Sequence, residues 1–253
     1  MRRRAEGGGE EGLYRRLLAV GTDRPRIRAL LDEAPFDDVQ LLALLRRAVP
    51  AAFLEELGRT PPWSDHPRMM GAIVTSPRCP GALALRLVPS LFWSDLVVVA
   101  GTPRVASAVR NRAEALLCDL LPEMRLGERM TLAKRAPTRV LRMLLGEGEA
   151  RVLEAALINP RLREEDLLAA IRDARATPAL FEAIAASFRW RESYAVRLAL
   201  VLQPRTPLGI ALSQITSLVP RDLRRVSETR ELRPLLQAAA RRAAEPRSGD
   251  RSG

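Results

Sequence analysis

Few residues of this chain have the types and spacing that catalysis requires. His66 is the single histidine among 253 residues, so no metal site can be built from several imidazoles. A serine triad centred on His66 would need a strained nucleophile turn, yet the sequence contains no G-x-S-x-G pattern. The carboxylates Asp95 and Asp222 are explained without catalysis by capping or by favourable charge at helix N-termini. We therefore predict that the protein is not an enzyme and has no catalytic residue, metal ligand or cofactor.

Arginine is the most over-represented charged residue. The chain holds 41 Lys and Arg against 30 Asp and Glu, which gives a formal net charge of +11, and Lys134 is its only lysine. An excess of arginine can follow from GC-rich coding, with the side chains on solvated helix faces. It can also form a basic surface for an anionic partner such as nucleic acid. Composition alone leaves both interpretations open.

Three arginines share a position that could carry binding chemistry. Arg78, Arg161 and Arg205 each follow a proline directly after an apolar stretch that is typical of a helix. If repeats stack, equivalent turns lie on one edge, and the three side chains form a basic ridge for phosphates or carboxylates. Alternatively, each arginine hydrogen-bonds the carbonyl groups left unpaired at the preceding helix end. We predict Arg78, Arg161 and Arg205 as binding residues and leave these two roles open.

The element that would position these arginines is clearest from Val196 to Leu212. Its first half is apolar on nearly every side, which is typical of a helix buried between neighbours. Pro204 ends this helix because it lacks an N–H and disfavours the helical conformation of Gln203. Thr206 is a suitable N-cap, and Pro207 suits the first position of the next helix. The segment therefore predicts a helix, a proline-containing turn and a second helix.

Copies of this unit recur along the chain. One copy, Val152 to Arg161, matches Val196 to Arg205 at a spacing of 205 − 161 = 44. The most extensive copy lies upstream at a spacing of 204 − 77 = 127, which Trp63 and Trp190 also share. Its identical pairs are Pro77/Pro204, Arg78/Arg205, Pro80/Pro207, Ala84/Ala211, Leu85/Leu212, Ser90/Ser217, Leu91/Leu218, Asp95/Asp222 and Leu96/Leu223. Segments of about 40 residues that recur in this way are typical of helical repeat proteins.

The repeated string resembles a known class of repeats. The pattern V-R-x-A-L-x-x-[NQ]-P-R-x-P-x-x-x-A-L, seen at Val196–Leu212, Val152–Leu162 and Met69–Leu85, is similar to the leucine-rich-repeat-variant pattern and more broadly to HEAT-like α-solenoids. The copy at Leu162 departs from it because it lacks the second proline. This resemblance implies an all-α fold, a right-handed α-solenoid of short HEAT-like helix pairs. It implies no chemistry, because the motif concerns helix ends and packing.

Sequence patterning predicts four regions. We expect a disordered N-terminal tail at 1–12, an irregular N-terminal helical cap at 13–62, the repeat array at 63–244 and a disordered C-terminal tail at 245–253. Leucine- and alanine-rich composition with few β-branched runs favours helix throughout. Leu96–Val99 is the one strand-like run, and we predict that it is helical because Ser94-Asp95 precedes it.

The expected function is binding. An array of repeats presents an extended curved surface, so we predict a non-enzymatic scaffold for a protein partner. The alternative is nucleic-acid binding through an arginine-rich face. A third and less favoured hypothesis is a DNA-repair glycosylase-like enzyme, which would need an exposed Trp190 beside an Asp or Glu side chain. Two widely spaced cysteines, the lack of a signal peptide and the lack of an apolar stretch of about 20 residues predict a cytoplasmic protein that does not enter membranes.

Overall fold

The computed structural model of the protein describes residues 3–33 and 37–245. Within these two ranges the regular structure is entirely helical, with seventeen α-helices, three short 3-10 helices and no β-strand. The all-α prediction is therefore confirmed. Leu96–Val99 is helical as expected, because it lies inside the helix Trp93–Gly101.

The chain divides into two compact units, Met1–Glu123 and Met124–Gly253. The first unit contains the helices α1 (Arg3–Val20), α2 (Arg24–Glu33), α3 (Asp38–Leu45), α4 (Ala51–Leu57), α5 (Pro67–Thr75), α6 (Gly81–Leu87), α7 (Trp93–Gly101) and α8 (Ser107–Leu120). Its 3-10 helices are Trp63–Asp65, Val88–Ser90 and Leu121–Glu123.

The second unit contains the remaining nine described α-helices. These are α9 (Leu126–Ala133), α10 (Thr138–Leu145), α11 (Ala150–Leu157), α12 (Glu164–Arg172), α13 (Pro178–Ala186), α14 (Tyr194–Leu202), α15 (Leu208–Ile215), α16 (Pro220–Glu228) and α17 (Pro234–Ala244). Most are only two to three turns long, so they depend on packing against neighbours rather than on intrinsic helix stability.

Helices contact the helix two places along the chain as well as the next one. In the second unit this gives an odd series, in which α9, α11, α13, α15 and α17 contact one another in order. It also gives an even series, in which α10, α12, α14 and α16 do the same. In the first unit α1, α3, α5 and α7 form such a series. Turns that follow members of one series therefore lie beside one another.

Prolines set the helix boundaries largely as predicted. α14 ends at Leu202, and Gln203 adopts an extended conformation with ψ of 114° ahead of Pro204. The predicted N-cap Thr206 is wrong by one residue, because Pro207 occupies the N-cap of α15 with ψ of 132°. The Thr206 hydroxyl is buried and has no hydrogen-bond partner among the described residues. α15 therefore begins after a proline N-cap and lacks the side-chain capping hydrogen bond that we expected.

The 127-residue spacing is repeated in the helix boundaries. Both ends of α5 and α14 differ by 127 (194 − 67 and 202 − 75), as do both ends of α7 and α16 (220 − 93 and 228 − 101). The first residues of α6 and α15, and those of α8 and α17, differ by the same number. The caps agree as well, since Thr102 and Thr229 both have ψ of 107°. The sequence copies therefore fold into the same local structure twice.

The cap at 13–62 and the repeat array at 63–244 stay predictions. The compact units divide at Glu123 and Met124, and α5 packs on α3, so contacts join the segments on both sides of residue 62. α1 begins at Arg3, so a helix occupies most of the segment 1–12 that we expected to be a disordered tail. The predicted C-terminal tail, 245–253, lies outside the described residues apart from Glu245.

Candidate functional site

In the described chain, seven helices are followed by the same four-residue turn. The N–H of the fourth residue donates to the carbonyl of the first, at 3.0–3.2 Å. The second and third side chains are exposed in every case, and the fourth is buried in all but one. The turns are Ser76–Cys79, Thr102–Val105, Asn159–Leu162, Asp173–Ala176, Ser187–Trp190, Gln203–Thr206 and Thr229–Leu232. We call them the four-residue turns.

Arginine fills the third position in six of these turns, and Glu231 fills it in the seventh. The six are Arg78, Arg104, Arg161, Arg175, Arg189 and Arg205. Sequence reasoning singled out Arg78, Arg161 and Arg205 but missed the other three. Arg104 carries the same Pro-Arg signal. Arg175 and Arg189 lack the proline, so only the turn geometry reveals that they are equivalent.

Two of these arginines bind the turn that precedes them in the odd series. Arg161 Nη1 donates to the carbonyl of Arg135 at 2.8 Å. Arg189 donates from Nη1 to the carbonyl of Asn159 and from Nη2 to that of Leu162, both at 2.9 Å. These contacts fit the alternative that the turn arginines bind unpaired carbonyl groups. The carbonyls belong to the neighbouring turn, however, and not to the helix end directly before each arginine.

Asn159 adds further bonds along the same line of turns. It is fully buried, and its Nδ2 donates to the carbonyls of Ala133 (2.7 Å) and Ala136 (3.2 Å). Its Oδ1 accepts the backbone N–H of Arg161 at 2.8 Å. We call the segments 133–136, 158–162 and 187–191 the first turn row, because side-chain hydrogen bonds join each to the next.

Arg205 belongs to a different line of turns. It follows α14 of the even series, where Gln203 Nε2 donates to the carbonyl of Ile171 at 2.5 Å. Its guanidinium group has no ion pair or hydrogen bond within the described residues. Arg78 is the equivalent residue of the first unit and likewise has no partner in the described ranges. In the second unit, then, Arg161 and Arg205 do not share one ridge, and the binding role of all three arginines stays a prediction.

The first turn row exposes apolar side chains between its arginines. Phe188, at the second position of its turn, is 79% exposed, and the guanidinium of Arg191 lies 5.0 Å from its ring centroid. Ile158, directly before the adjoining turn, is 62% exposed. Arg161 and Arg189 are exposed in the same two turns. Sequence reasoning missed Phe188, since nothing in an apolar pattern distinguishes an exposed aromatic from a buried one.

Carboxylates lie close to this row and reduce its positive charge. Glu165 lies 3.2 Å from Arg163, and Glu192 contacts both Arg191 (3.5 Å) and Arg197 (2.8 Å). The row is therefore a mixed surface rather than a continuous basic one. Elsewhere in the described chain many arginines also lie within 4.0 Å of a carboxylate, among them Arg15, Arg24, Arg26, Arg28, Arg47, Arg59, Arg129, Arg142 and Arg175.

The repeated tryptophans are packing residues. Trp190 is 5% exposed, and its Nε1–H donates to the carbonyl of Leu157 at 2.9 Å. The guanidinium of Arg189 covers its ring at 4.3 Å from the centroid. Trp63 is 9% exposed. A buried Trp190 cannot stack on an extruded base, so the glycosylase-like hypothesis loses the residue on which it depended.

The two matched aspartates lie in the first turns of their helices, as their assignment to helix N-termini predicts. Asp222 accepts a hydrogen bond from the Tyr194 hydroxyl. Asp95 lies against Gly71, where an added Cβ would be 3.4 Å from its Cγ. Burial raises the pKa of Asp95, and the charge of Arg68 opposes that rise. These contacts are structural and do not pair either carboxylate with a nucleophile.

His66 faces a single carboxylate, with its Nε2 3.6 Å from Asp38 Oδ2. Among the residues that the structure describes, no group of three or more His, Cys, Asp or Glu side chains could hold a metal ion. In the same ranges, no helix has both the length and the apolar character needed to cross a membrane.

Comparison with known proteins finds no match to a family model, to a curated protein or to a solved structure.

Proposed function

We propose that the chain is a non-enzymatic protein-interaction scaffold built as a HEAT-like α-solenoid. The contacts between alternate helices support the solenoid, because stacked helix pairs bring each helix against the one two places along. Repeats of this kind present extended surfaces rather than deep pockets, which favours binding over catalysis. The thiol of Cys79, which is not in a disulfide, suits a reducing compartment, and we propose the cytoplasm.

One observation carries the proposal. The turns of the first turn row are tied together by side-chain hydrogen bonds from Asn159, Arg161 and Arg189, yet their outer side chains are exposed. A surface that is fixed before its partner arrives loses little conformational entropy on binding. Exposed apolar groups beside arginines are the composition found at the centres of protein interfaces.

A nucleic-acid partner is the second candidate, and a separate observation favours it. Between residues 198 and 245, within the described chain, eight arginines have no carboxylate within 4.0 Å. They are Arg205, Arg221, Arg224, Arg225, Arg230, Arg233, Arg241 and Arg242. Free arginines of this kind could contact phosphates. Such binding would weaken steeply with salt, whereas binding centred on an apolar group would not.

The test is affinity capture from native lysate, with and without nuclease, using the full chain as bait. We expect a specific protein to be retained after nuclease treatment and at raised salt. Phe188→Asp should abolish its capture, and Phe92→Asp, at a second exposed phenylalanine, should not. If capture depends on intact nucleic acid, the second candidate replaces the first.

A further inference from the structure

We propose that the first turn row binds an acidic protein segment that carries one large apolar side chain, with Phe188 as the anchor. This inference rests on the proposed scaffold function and names the partner chemistry of one surface. Phe188 would contact the apolar side chain, and Arg161 in the adjoining turn would contact a carboxylate.

The fold does not require a phenylalanine at position 188. The second position of a four-residue turn is exposed in all seven turns, and it holds proline in four of them. Ala174 and Arg230 occupy it in two others, so the turn forms without an aromatic side chain there. Phe188 nevertheless exposes 79% of its surface to solvent. An aromatic group that is mostly exposed and that its turn does not require is best explained by a contact with another molecule.

Arg161, in the turn that adjoins this aromatic group, has unused hydrogen-bond donors. Arg161 uses Nη1 on the carbonyl of Arg135, and its remaining N–H groups make no bond within the described chain. Because that bond holds the guanidinium on one side, the free edge is oriented before a carboxylate arrives. Arg191 lies over the Phe188 ring at 5.0 Å. Together with Ile158 in the adjoining turn, these groups form an apolar centre with charged margins, as in many peptide-binding surfaces.

The charge balance favours a peptide over a nucleic acid. The segments 158–165 and 187–193 together contain four arginines and three glutamates. A nucleic-acid strand carries a charge on every phosphate, so it would meet Glu164, Glu165 and Glu192 as well as the arginines. A peptide can place its carboxylates only where arginines lie. The mixed row therefore complements an acidic segment with separated charges.

The experiment is fluorescence anisotropy on the full chain with labelled short peptides. The probe peptides alternate Glu or Asp with Ser and carry one central Leu, Phe or Met. Two control sets replace the apolar residue by Ser or every acid by its amide. A single-stranded RNA of similar length is the remaining probe. We expect saturable binding of an acidic, apolar-centred peptide and binding at least tenfold weaker to both control sets.

Variants locate the surface. Phe188→Ala should weaken peptide binding about tenfold or more, and Phe92→Ala, which removes a similarly exposed phenylalanine, should leave it unchanged. Arg161→Ala should weaken it several-fold, whereas Arg104→Ala, at the same turn position in the first unit, should not. Unfolding midpoints of the Phe188 and Phe92 variants should match the parent protein, because both side chains are largely solvent-exposed.

Three results would overturn the inference. The first is that no peptide of the panel binds with a Kd below about 1 mM. The second is that Phe188→Ala binds like the parent protein. The third is that the RNA binds more tightly and depends on Phe188 and Arg161. If a nuclease-resistant partner is still captured from lysate and is lost in Arg205→Ala instead, the scaffold function stands and this placement of its surface fails.

Discussion

Replacing Asn159 with alanine probes the bonds that hold the first turn row. The Asn159 side chain makes three hydrogen bonds at 2.7–3.2 Å, and it is fully buried. Asn159→Ala leaves the carbonyls of Ala133 and Ala136 and the N–H of Arg161 without these partners. Each buried polar group that loses its partner costs about 1–3 kcal/mol. Part of that is recovered by relaxation, so we expect a loss of about 2–4 kcal/mol in unfolding free energy.

Gln203→Ala is the matched control, because Gln203 holds the same first position of a four-residue turn in the even series. Its side chain donates a hydrogen bond to the carbonyl of Ile171 and accepts a longer one, of 3.3 Å, from the N–H of the exposed Arg205, and Gln203 itself is partly exposed. Water can replace both bonds, so the expected loss is about 1 kcal/mol or less. Urea unfolding followed by circular dichroism gives both values, provided that the two variants share one m-value. Equal losses for the two variants, or less than about 1 kcal/mol for Asn159→Ala, would refute the reasoning.

A nearly isosteric change separates donor loss from cavity formation. Asn159→Asp keeps the oxygen that accepts the Arg161 N–H, but it places a second oxygen against two carbonyl oxygens. The shape is retained, while the donor is lost and, at neutral pH, a negative charge is added. We expect Asn159→Asp to be at least as destabilising as Asn159→Ala at neutral pH, because a buried carboxylate also loses its hydration. A mild effect of the aspartate would show that packing, not hydrogen bonding, matters at this site.

Three further predictions concern other parts of the chain. Leu212→Ala should lower the unfolding free energy, measured with urea, by about 1–3 kcal/mol. This is less than for a fully buried leucine, because Leu212 is only partly buried against the hydrophobic core formed by α14 to α17. No measurable loss would contradict this packing. Burial raises the pKa of Cys79 to about 11. In a Cys118→Ser variant, alkylation of Cys79 by iodoacetamide should therefore be slow at neutral pH and become faster only as the pH approaches that value. Rapid alkylation at pH 7 would contradict the raised pKa. The hydrogen bond from Arg28 lowers the pKa of Glu56, so this pair stabilises the fold above about pH 4.3 and the effect is lost as the pH falls. Glu56→Gln should reduce the fall in unfolding free energy between neutral and acidic pH. An unchanged pH dependence would argue against a stabilising Arg28–Glu56 interaction.

The helix boundaries could be predicted from sequence because prolines act locally. Pro204 restricts Gln203 and Pro77 restricts Ser76, so each preceding helix ends where the dipeptide places it. The 127-residue spacing was equally readable, since it depends only on residue identity. The division at Glu123 was not, because it depends on which helices pack together. The start of α1 at Arg3 was missed because its glycine-rich composition favours a coil over a helix.

The candidate site was only partly readable for similar reasons. The Pro-Arg dipeptide identified Arg161, but the residue that its guanidinium contacts, Arg135, lies 26 positions away and follows from helix packing. Arg189 lacked the dipeptide altogether. The exposure of Phe188 depends on the direction in which its turn faces, which composition does not determine. Local signals thus located the turns that contain Pro-Arg, and tertiary contacts decided which of their side chains lack a partner within the described residues.

The central claim is that side-chain hydrogen bonds join the turns of alternate helices into one row. A double-mutant cycle tests it most directly, by combining Asn159→Ala with Arg189→Ala and, separately, with Gln203→Ala. Arg189 binds the backbone carbonyl of Asn159, which alanine retains, and the Asn159 side chain holds the turn that carries this carbonyl. If the turns are joined into one row, losing that side chain displaces the carbonyl, and the first pair should show a coupling energy of about 0.5–3 kcal/mol. The second pair belongs to different series and should be additive to within about 0.5 kcal/mol. Additivity in the first pair, or coupling of equal size in both, would contradict the account.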